Sequence, residues 1–249
     1  MGKAQVVLLH GVGLDHTMWA PAAALLAEHF EVTALDLPGH GSQPPARDGI
    51  TLAAMAGDVA ARLAPGTHLV GFSLGALVAQ HIARYRPELV ASLSSVSSVC
   101  RRTQAERTAV LGRLEAAAAD FPASVAASLQ RWFPARPETG AAADPALVAA
   151  TESTLLANNV QSYLNCYRVF ATGDAEIGPE LGRIAVPSLA ITGELDPGST
   201  PEMTQRLATA MPDCTAVVVP AARHMLPVEK PQEFAAALTT FIREKFNGE

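Results

Sequence analysis

The chain has 249 residues, 49% of them hydrophobic and 17% charged, and a chain of this size can bury a large core without cross-links. Its 18 Lys and Arg against 24 Asp and Glu give a net charge of −6. That balance argues against a nucleic-acid partner, because a nucleic-acid surface needs clustered basic residues. The three cysteines are scattered and odd in number, which predicts free thiols rather than a disulfide framework.

The chain shows no targeting or membrane segment at the level of its sequence. The apolar run at residues 6–9 is too short for the core of a signal peptide. No run approaches the ~20 apolar residues that a membrane span needs. We therefore expect a cytoplasmic protein without a membrane partner.

Short β-branched runs alternate with helix-like stretches in residues 1–99 and 185–249. Several of these runs are continuously apolar, which is typical of strands covered on both faces in a parallel sheet. Alternating strands and helices with right-handed crossovers predict an α/β fold with a doubly wound sheet. The predicted strands are 5–9, 31–36, 68–72, 90–96, 188–192 and 215–219, and the predicted helices between them are 19–29, 52–63, 74–84 and 231–246.

Residues 100–184 have a different texture, because they are helix-like throughout and contain no convincing strand. Helices inserted between two strands can cover the carboxyl edge of the sheet, where open α/β sheets bind ligands. We therefore predict a helical lid (cap) domain at 100–184, inserted into a core of 1–99 and 185–249, with a purely structural extension as the alternative. The amphipathic stretches are 104–119, 123–132, 145–157 and 160–171, with a Pro- and Gly-rich loop at 134–145.

The strongest local signal is the sequence GFSLG at residues 71–75, between a predicted strand and a predicted helix. In this context the G-x-S-x-G pattern predicts a sharp turn that exposes a serine hydroxyl above the sheet. Glycines on both sides relieve the crowding of such a turn. We therefore predict that Ser73 is a nucleophile.

A serine nucleophile needs a base, and the chain has seven histidines. His224 is our candidate, because it follows the last predicted strand, in a loop at the same sheet edge as Ser73. His68 and His81 belong to the strand and helix around Ser73 and are more typical of packing or surface positions. We expect His10 to hold its loop by hydrogen bonding.

The base needs a carboxylate that fixes its tautomer and stabilises the imidazolium. Asp196 lies in the loop GELDPGSTP, after the predicted strand at 188–192. Glu194, two residues earlier, is the competitor. We favour Asp196 because the sequence Asp-Pro-Gly suits a turn that would orient its side chain.

The negative charge that develops on a carbonyl oxygen requires two hydrogen-bond donors. One predicted donor is the backbone N–H of Leu74, the residue after the nucleophile. The other is the backbone N–H of Val12, in the loop HGVGL after the first strand, where two glycines allow close approach.

Five motifs in this order give the chain a resemblance to the capped α/β-hydrolase superfamily. They are HGVGLDHTMW, DLPGHGSQ, GFSLGALVAQ, ITGELDPGSTPEM and RHMLPVEKPQEF. Within this superfamily the chain resembles pimeloyl-carrier-protein methyl esterases and 3-oxoadipate enol-lactonases. The resemblance implies a hydrolase that cleaves an ester or lactone of a small molecule through an acyl-enzyme, with no metal or organic cofactor. Ser73, Asp196 and His224 also follow the chain order of that superfamily.

The chain departs from the superfamily at its start, where only residues 1–4 precede the first predicted strand. We therefore predict a shortened, mostly parallel sheet of about six strands, flanked by helices. The strand at 31–36 would then be an edge, which is a liability unless it is covered. Self-association as a homodimer is one way to cover it.

Other activities use the same catalytic residues. A C–C bond hydrolase acting on a vinylogous diketone is the main alternative, followed by a cofactor-free perhydrolase. A receptor-like binder without catalysis is a remote third.

Substrate contacts are the least readable part of the sequence. Arginines could grip a substrate carboxylate in bidentate fashion, although solvated helix faces explain them equally well. The candidate arginines are Arg101, Arg102, Arg107 and Arg131. The candidate pocket residues are Trp19, Trp132, Tyr163, Tyr167 and Met225.

Overall fold

A computed structural model describes residues 2–134 and 144–246 of the chain. Its strands, in chain order, are β1 (Gln5–Leu9), β2 (Glu31–Leu35), β3 (Thr67–Phe72), β4 (Val90–Val96), β5 (Ser188–Gly193) and β6 (Cys214–Val219). They form one sheet in the order β2-β1-β3-β4-β5-β6, and every neighbouring pair is parallel. The predicted six-stranded sheet is confirmed.

Helices flank this sheet and connect its strands. They are α1 (Ala20–Leu26), α2 (Leu52–Ala60), α3 (Leu74–Tyr85), α4 (Gln104–Ala119), α5 (Phe121–Trp132), α6 (Pro145–Leu156), α7 (Val160–Ile177), α8 (Pro201–Ala210), α9 (Leu226–Glu229) and α10 (Pro231–Phe246). Short 3-10 turns occupy His16–Trp19, Pro87–Leu89 and Gly178–Arg183. Thr51 caps α2, because its side chain accepts a hydrogen bond from the backbone N–H of Ala54.

Burial along the strands follows their position in the sheet. The strands β3 and β5 are buried along their whole length, as expected for central strands covered on both faces. The strand β2 lies at one edge, as predicted, and keeps Glu31 and Thr33 exposed. Homodimer formation through this edge stays a prediction.

Membrane-spanning helices and metal-binding clusters are both absent from the described residues. None of the helices in the ranges 2–134 and 144–246 combines the length and the apolar character that a membrane crossing requires. Within the same ranges, no cluster of three or more His, Cys, Asp or Glu residues has a metal-binding arrangement.

Four helices, α4 to α7, stand between β4 and β5 in the chain, as the amphipathic stretches predicted. We call them the inserted helices. The last of them, α7, packs on α3, the helix that follows the GFSLG turn. It continues to Ile177, beyond the predicted end at residue 171. The Pro- and Gly-rich loop expected at 134–145 lies mostly outside the described residues.

A buried ion pair joins the start of the insertion to its last helix. The Arg102 Nη1 donates to Asp174 Oδ1 at 2.6 Å, the Arg102 backbone N–H donates to Oδ2 at 2.8 Å, and both side chains are at most 2% exposed. Arg107 approaches the same carboxylate at 3.5 Å. Arg102 and Arg107 were candidate substrate ligands, but the structure uses both in this internal pair.

We expect Asp174→Ala to destabilise the protein, because it leaves the Arg102 guanidinium buried without its counter-charge. Breaking a buried pair from one side costs about 3–5 kcal/mol, which lowers Tm by on the order of 10 °C in a chain of this size. Thermal unfolding followed by circular dichroism measures the shift. The control is Glu88→Gln, which removes one partner of the exposed Arg86–Glu88 pair and should change Tm by less than about 2 °C. Equal shifts in the two variants would contradict the structural role of Asp174.

Candidate active site

The loops after four strands meet at the carboxyl edge of the sheet, because all six strands run in the same direction. Val12 follows β1, Ser73 follows β3, Asp196 follows β5 and His224 follows β6. The structure brings all four residues to the lining of one cavity. The candidate nucleophile, base and acid are nearly inaccessible, being 3%, 7% and 3% exposed.

Ser73 has a strained backbone, with φ of 54° and ψ of −110°. A positive φ is unusual for a residue with a side chain and costs on the order of 1–3 kcal/mol. The surrounding hydrogen bonds hold this conformation, since the Ser73 N–H donates to the carbonyl of Val96 at 2.9 Å. The hydroxyl therefore stands at the turn between β3 and α3, at the amino end of that helix.

Gly71 and Gly75 permit the close packing beneath Ser73. A Cβ atom on Gly71 would collide with the carbonyl of Gly75. A Cβ atom on Gly75 would lie 2.5 Å from the carbonyl oxygen of Leu9 and 2.6 Å from that of His10. The colliding atoms belong to the backbone of the turn and of β1, so they cannot move aside without shifting the sheet. Steric exclusion of a Cβ atom therefore requires glycine at both positions of the motif.

We expect Gly75→Ala to destabilise the protein by about 1–3 kcal/mol, the range typical of overpacking, and to reduce activity by displacing Ser73. The matched control is Gly57→Ala, because Gly57 lies within α2 and a Cβ there meets nothing within 4 Å. That control should gain about 0.5–1 kcal/mol from improved helix propensity. Urea unfolding of the two variants measures both effects, and a stable, active Gly75→Ala protein would contradict the packing argument.

His224 and Asp196 form a direct hydrogen bond between side chains. The His224 Nδ1 lies 2.7 Å from Asp196 Oδ2. An ionised carboxylate only accepts hydrogen bonds, so this contact places a proton on Nδ1 and leaves Nε2 free to accept one. The loop of His224 is anchored separately, because the Ser97 hydroxyl donates to the His224 carbonyl at 3.0 Å.

The environment of Asp196 keeps its carboxyl ionised. Burial by itself would raise the pKa of Asp196, but attraction to His224 and hydrogen bonds from His224, Ser199 and Gly198 outweigh it and lower that pKa. The backbone N–H groups of Gly198 and Ser199 both donate to Oδ1 at 2.9 Å. The competitor, Glu194, instead accepts a hydrogen bond from the backbone N–H of Ala221 at 2.9 Å. The geometry therefore supports Asp196 as the partner of the histidine.

The backbone amides of Val12 and Leu74 follow β1 and β3 at the carboxyl edge of the sheet. In the described part of the chain, neither the Val12 N–H nor the Leu74 N–H donates to a protein acceptor. The loop of Val12 is tied to the GFSLG turn, since the Gly75 N–H donates to the His10 carbonyl at 3.1 Å. Two unused donors on loops joined in this way are what an oxyanion hole requires.

His10 holds the first loop, as predicted. Its Nδ1 lies 2.7 Å from the carbonyl oxygen of Gly11, and its Nε2 lies 2.9 Å from the backbone N of Leu37. A carbonyl only accepts and an amide N–H only donates, so the ring is neutral with its proton on Nδ1. Burial lowers the pKa of His10 to about 3, which agrees with a neutral structural histidine.

The inserted helices supply the other wall of the cavity, whose volume is about 70 Å³. Trp132, at the end of α5, stacks on the imidazole of His224 with ring centroids 5.7 Å apart and an angle of 26° between the planes. Tyr163 and Tyr167 of α7 line the same cavity. These three predicted pocket residues therefore lie at the site.

Trp19 and Met225, the other two predicted pocket residues, do not belong to the lining of this cavity. Trp19 is fully buried and packs between Phe72 and Phe234, at centroid distances of 6.4 and 5.8 Å. Met225 lines a separate apolar groove beside α6. Both residues neighbour loops of the candidate site in sequence, but the Trp19 side chain packs in the core and the Met225 side chain lines the groove.

Some residues at the cavity were not singled out by sequence reasoning. Arg113 and Ser128 come from α4 and α5, and residues 197–199 follow Asp196. The Pro-Gly-Ser that follows Asp196 was a usable signal, because a turn there brings its neighbours to the same cavity. Arg113 gave no such signal, since its helix is solvated along most of its length.

Comparison with known proteins agrees with this architecture. The model of the alpha/beta hydrolase family matches residues 6–237, so the chain belongs to this family and is a hydrolase. It is 31% identical over 252 residues to the (E)-2-((N-methylformamido)methylene)succinate hydrolase of Acinetobacter baylyi, covering 95% of this chain and 89% of the relative. It is also 31% identical over 255 residues to the pimeloyl-[acyl-carrier protein] methyl ester esterase of Edwardsiella ictaluri, covering 96% and 93%.

A solved structure shares the fold. The enol-lactonase from Burkholderia xenovorans LB400 superposes with a TM-score of 0.86 and 24% sequence identity, covering 97% of this chain and 92% of that one. At this level of identity the similarity concerns the fold. The predicted resemblance to esterases and enol-lactonases of the α/β-hydrolase type is confirmed by the family match and by relatives matched in sequence.

Proposed function

We propose that this protein hydrolyses a carboxylic ester or lactone of a small molecule through an acyl-enzyme on Ser73. The observation that carries the proposal is the hydrogen bond of 2.7 Å between His224 Nδ1 and Asp196 Oδ2, in a cavity that is also lined by the strained Ser73. The names of the two relatives, a hydrolase and a methyl ester esterase, support the same class of reaction.

The first half of the reaction forms the acyl-enzyme. The Ser73 Oγ attacks the acyl carbon while His224 Nε2 takes the hydroxyl proton, and Asp196 stabilises the resulting imidazolium. The carbonyl oxygen becomes an oxyanion that accepts hydrogen bonds from the N–H groups of Val12 and Leu74. Collapse of the tetrahedral intermediate expels the alcohol, which takes its proton from His224.

The second half releases the acid. Water attacks the acyl carbon and gives a proton to His224, which forms a second tetrahedral intermediate with its oxyanion in the same place. The Ser73 Oγ then leaves this intermediate and takes its proton from His224. In this proposal the inserted helices act as a lid, because Trp132 and Tyr163 from these helices line the cavity. Such closure keeps bulk water away from the acyl group until the second step.

Trapping of the acyl-enzyme tests this proposal. With p-nitrophenyl butyrate we expect a burst of nitrophenol close to one equivalent of enzyme, followed by slower turnover. Acid quenching and peptide mass spectrometry should then locate a butyryl group on the peptide that contains Ser73. A missing burst without an adduct, or an adduct on another residue, would refute the proposal.

A substrate panel then distinguishes the reaction types that share these residues. It contains methyl esters, an enol lactone, a vinylogous diketone, and an N-acyl enamide chosen because one relative is named for a formamido compound. Peracid formation from acetate and hydrogen peroxide tests the perhydrolase alternative. The highest kcat/KM identifies the bond, and we expect it among the esters and lactones.

A further inference from the structure

Two guanidinium groups line the candidate active site without a counter-charge from the residues that the structure describes. Arg113 of α4 and Arg131 of α5 both contribute to the lining of the cavity that contains Ser73. In the part of the chain that the structure describes, neither forms an ion pair with an Asp or a Glu. Both side chains are partly buried, so water screens their charges only incompletely.

Other arginines of the inserted helices and the segment before them have internal partners. Arg102 and Arg107 share Asp174, and Arg101 donates to the carbonyl of Gly178 at 3.2 and 3.3 Å. The exposed Arg168 lies 4.0 Å from Asp48. Arg113 and Arg131 therefore differ from these arginines in two respects. Both line the cavity, and neither has an acidic partner among the described residues.

Arg131 is held in place by neutral groups. Its Nη1 donates to the carbonyl of Ala127 at 3.1 Å, and its Nη2 donates to the Ser128 hydroxyl at 2.8 Å. A guanidinium has five N–H donors, so these two contacts orient the group and leave donors for a ligand. Partial burial and the neighbouring charge of Arg113 both lower the pKa of Arg131, which is the effect of a positive site without an anion.

The remaining polar groups at the cavity also favour an anion. Tyr163 stays a neutral phenol because burial raises its pKa, and a neutral phenol can donate a hydrogen bond. The acid at the cavity lining is Asp196, whose oxygens are already occupied by His224 and by the amides of Gly198 and Ser199. The cavity therefore has positive charges and donors that no protein group neutralises among the residues described.

We propose that Arg131 and Arg113 bind a free carboxylate of the substrate, so that the preferred substrates are half-esters or lactones of dicarboxylic acids. A carboxylate fits the planar fork of a guanidinium with two parallel hydrogen bonds. This inference rests on the proposed function, because it assigns the acyl group that Ser73 receives.

Matched pairs of esters test the inference. Each pair consists of a mono-p-nitrophenyl ester of succinate, glutarate or adipate and the same compound with its free carboxylate capped as a methyl ester. The measured quantity is the ratio of kcat/KM for the charged ester to kcat/KM for the capped one. We expect the wild-type ratio to exceed one and to peak at one chain length, which reports the distance from the guanidinium groups to Ser73.

Single substitutions of Arg131 and Arg113 show which side chain causes the preference for the charged ester. Arg131→Gln should lower the ratio about 10- to 100-fold, as expected for loss of a charge-assisted bidentate contact, and Arg113→Gln should lower it less. Arg131→Lys keeps the charge and should recover only part of the ratio. The control is Arg168→Gln, on α7 and outside the cavity lining, which should leave the ratio within about twofold. Circular dichroism establishes that each variant is folded.

A binding measurement separates this inference from the proposed function. Glutarate should bind the Ser73→Ala protein in a calorimetric titration, and binding should weaken about 10-fold or more in the double variant with Arg131→Gln. Glutarate binding that depends on Arg131, without turnover of any ester, would sustain the carboxylate site and defeat the proposed reaction. Turnover that depends on Ser73 but has a charged-to-capped ratio unchanged in both arginine variants would overturn the carboxylate site alone.

Discussion

Ser73→Ala is expected to lower kcat for p-nitrophenyl butyrate hydrolysis by about four orders of magnitude or more. Loss of a serine nucleophile in a comparable catalytic arrangement costs about 10⁶-fold in kcat, and the activity that remains comes from the oxyanion hole and substrate binding. The two amides at Val12 and Leu74 are backbone groups, so the substitution leaves them in place. A residual rate above the uncatalysed reaction is therefore part of the expectation.

The effect of Ser73→Ala should be chemical rather than structural. Alanine keeps the Cβ atom and the strained φ of 54°, so Tm should change by less than about 3 °C, corresponding to ~1 kcal/mol. The matched control is Ser94→Ala, which changes a buried serine of β4 whose hydroxyl has no hydrogen-bond partner among the described residues. That variant should keep wild-type kcat within about threefold. Turnover by Ser73→Ala at the wild-type rate would remove the nucleophile from the mechanism.

The positions of the strands follow from local patterns in the sequence, whereas their order in the sheet comes from the structure. The continuous apolar run VVLL in β1 lies in a buried strand, as expected for a parallel sheet, whereas AVVV in β6 lies in an edge strand that is only partly covered. The observed strands begin and end within one residue of those expected. The GFSLG turn was equally readable, because the collisions that would follow from a Cβ on Gly71 or Gly75 are a local property of the strand, turn and helix.

The wall of the cavity made by the inserted helices could not be derived in the same way. A helical pattern predicts that α4 and α5 exist, but not which face of each helix meets the sheet edge. Arg102 and Arg113 illustrate the difficulty, since both are arginines of the same segment. One is buried against Asp174 and the other lines the cavity. Only long-range packing decides between these outcomes.

The position of Trp132 has a consequence for the base. Its ring stacks on His224, while Asp196 bonds the imidazole at its edge through Nδ1. An aromatic face carries partial negative charge and attracts a cation. In the proposed mechanism, Trp132 of the inserted helices and Asp196 of the core therefore both stabilise an imidazolium at His224.

Asp196→Asn is expected to lower kcat by about 10⁴-fold while changing KM little. An asparagine amide can donate a hydrogen bond to His224 Nδ1, which moves the ring proton to Nε2 and removes the lone pair that must accept the proton of Ser73. The same substitution at a comparable triad costs about 10⁴-fold with the geometry intact. The Asp196 carboxylate is buried with 3% exposure and accepts from three partners, and among the described residues it is the acid that lines the cavity.

Glu194→Gln provides the control for Asp196→Asn and resolves the choice between the two acids. Glutamine keeps a side-chain oxygen that can accept the hydrogen bond from the backbone N–H of Ala221, so kcat should stay within about threefold of wild type. Steady-state kinetics of both variants at several pH values measures the difference. A large loss in Glu194→Gln with near-normal turnover in Asp196→Asn would show that Glu194 is the acid, and that the contact of 2.7 Å between Asp196 and His224 is structural.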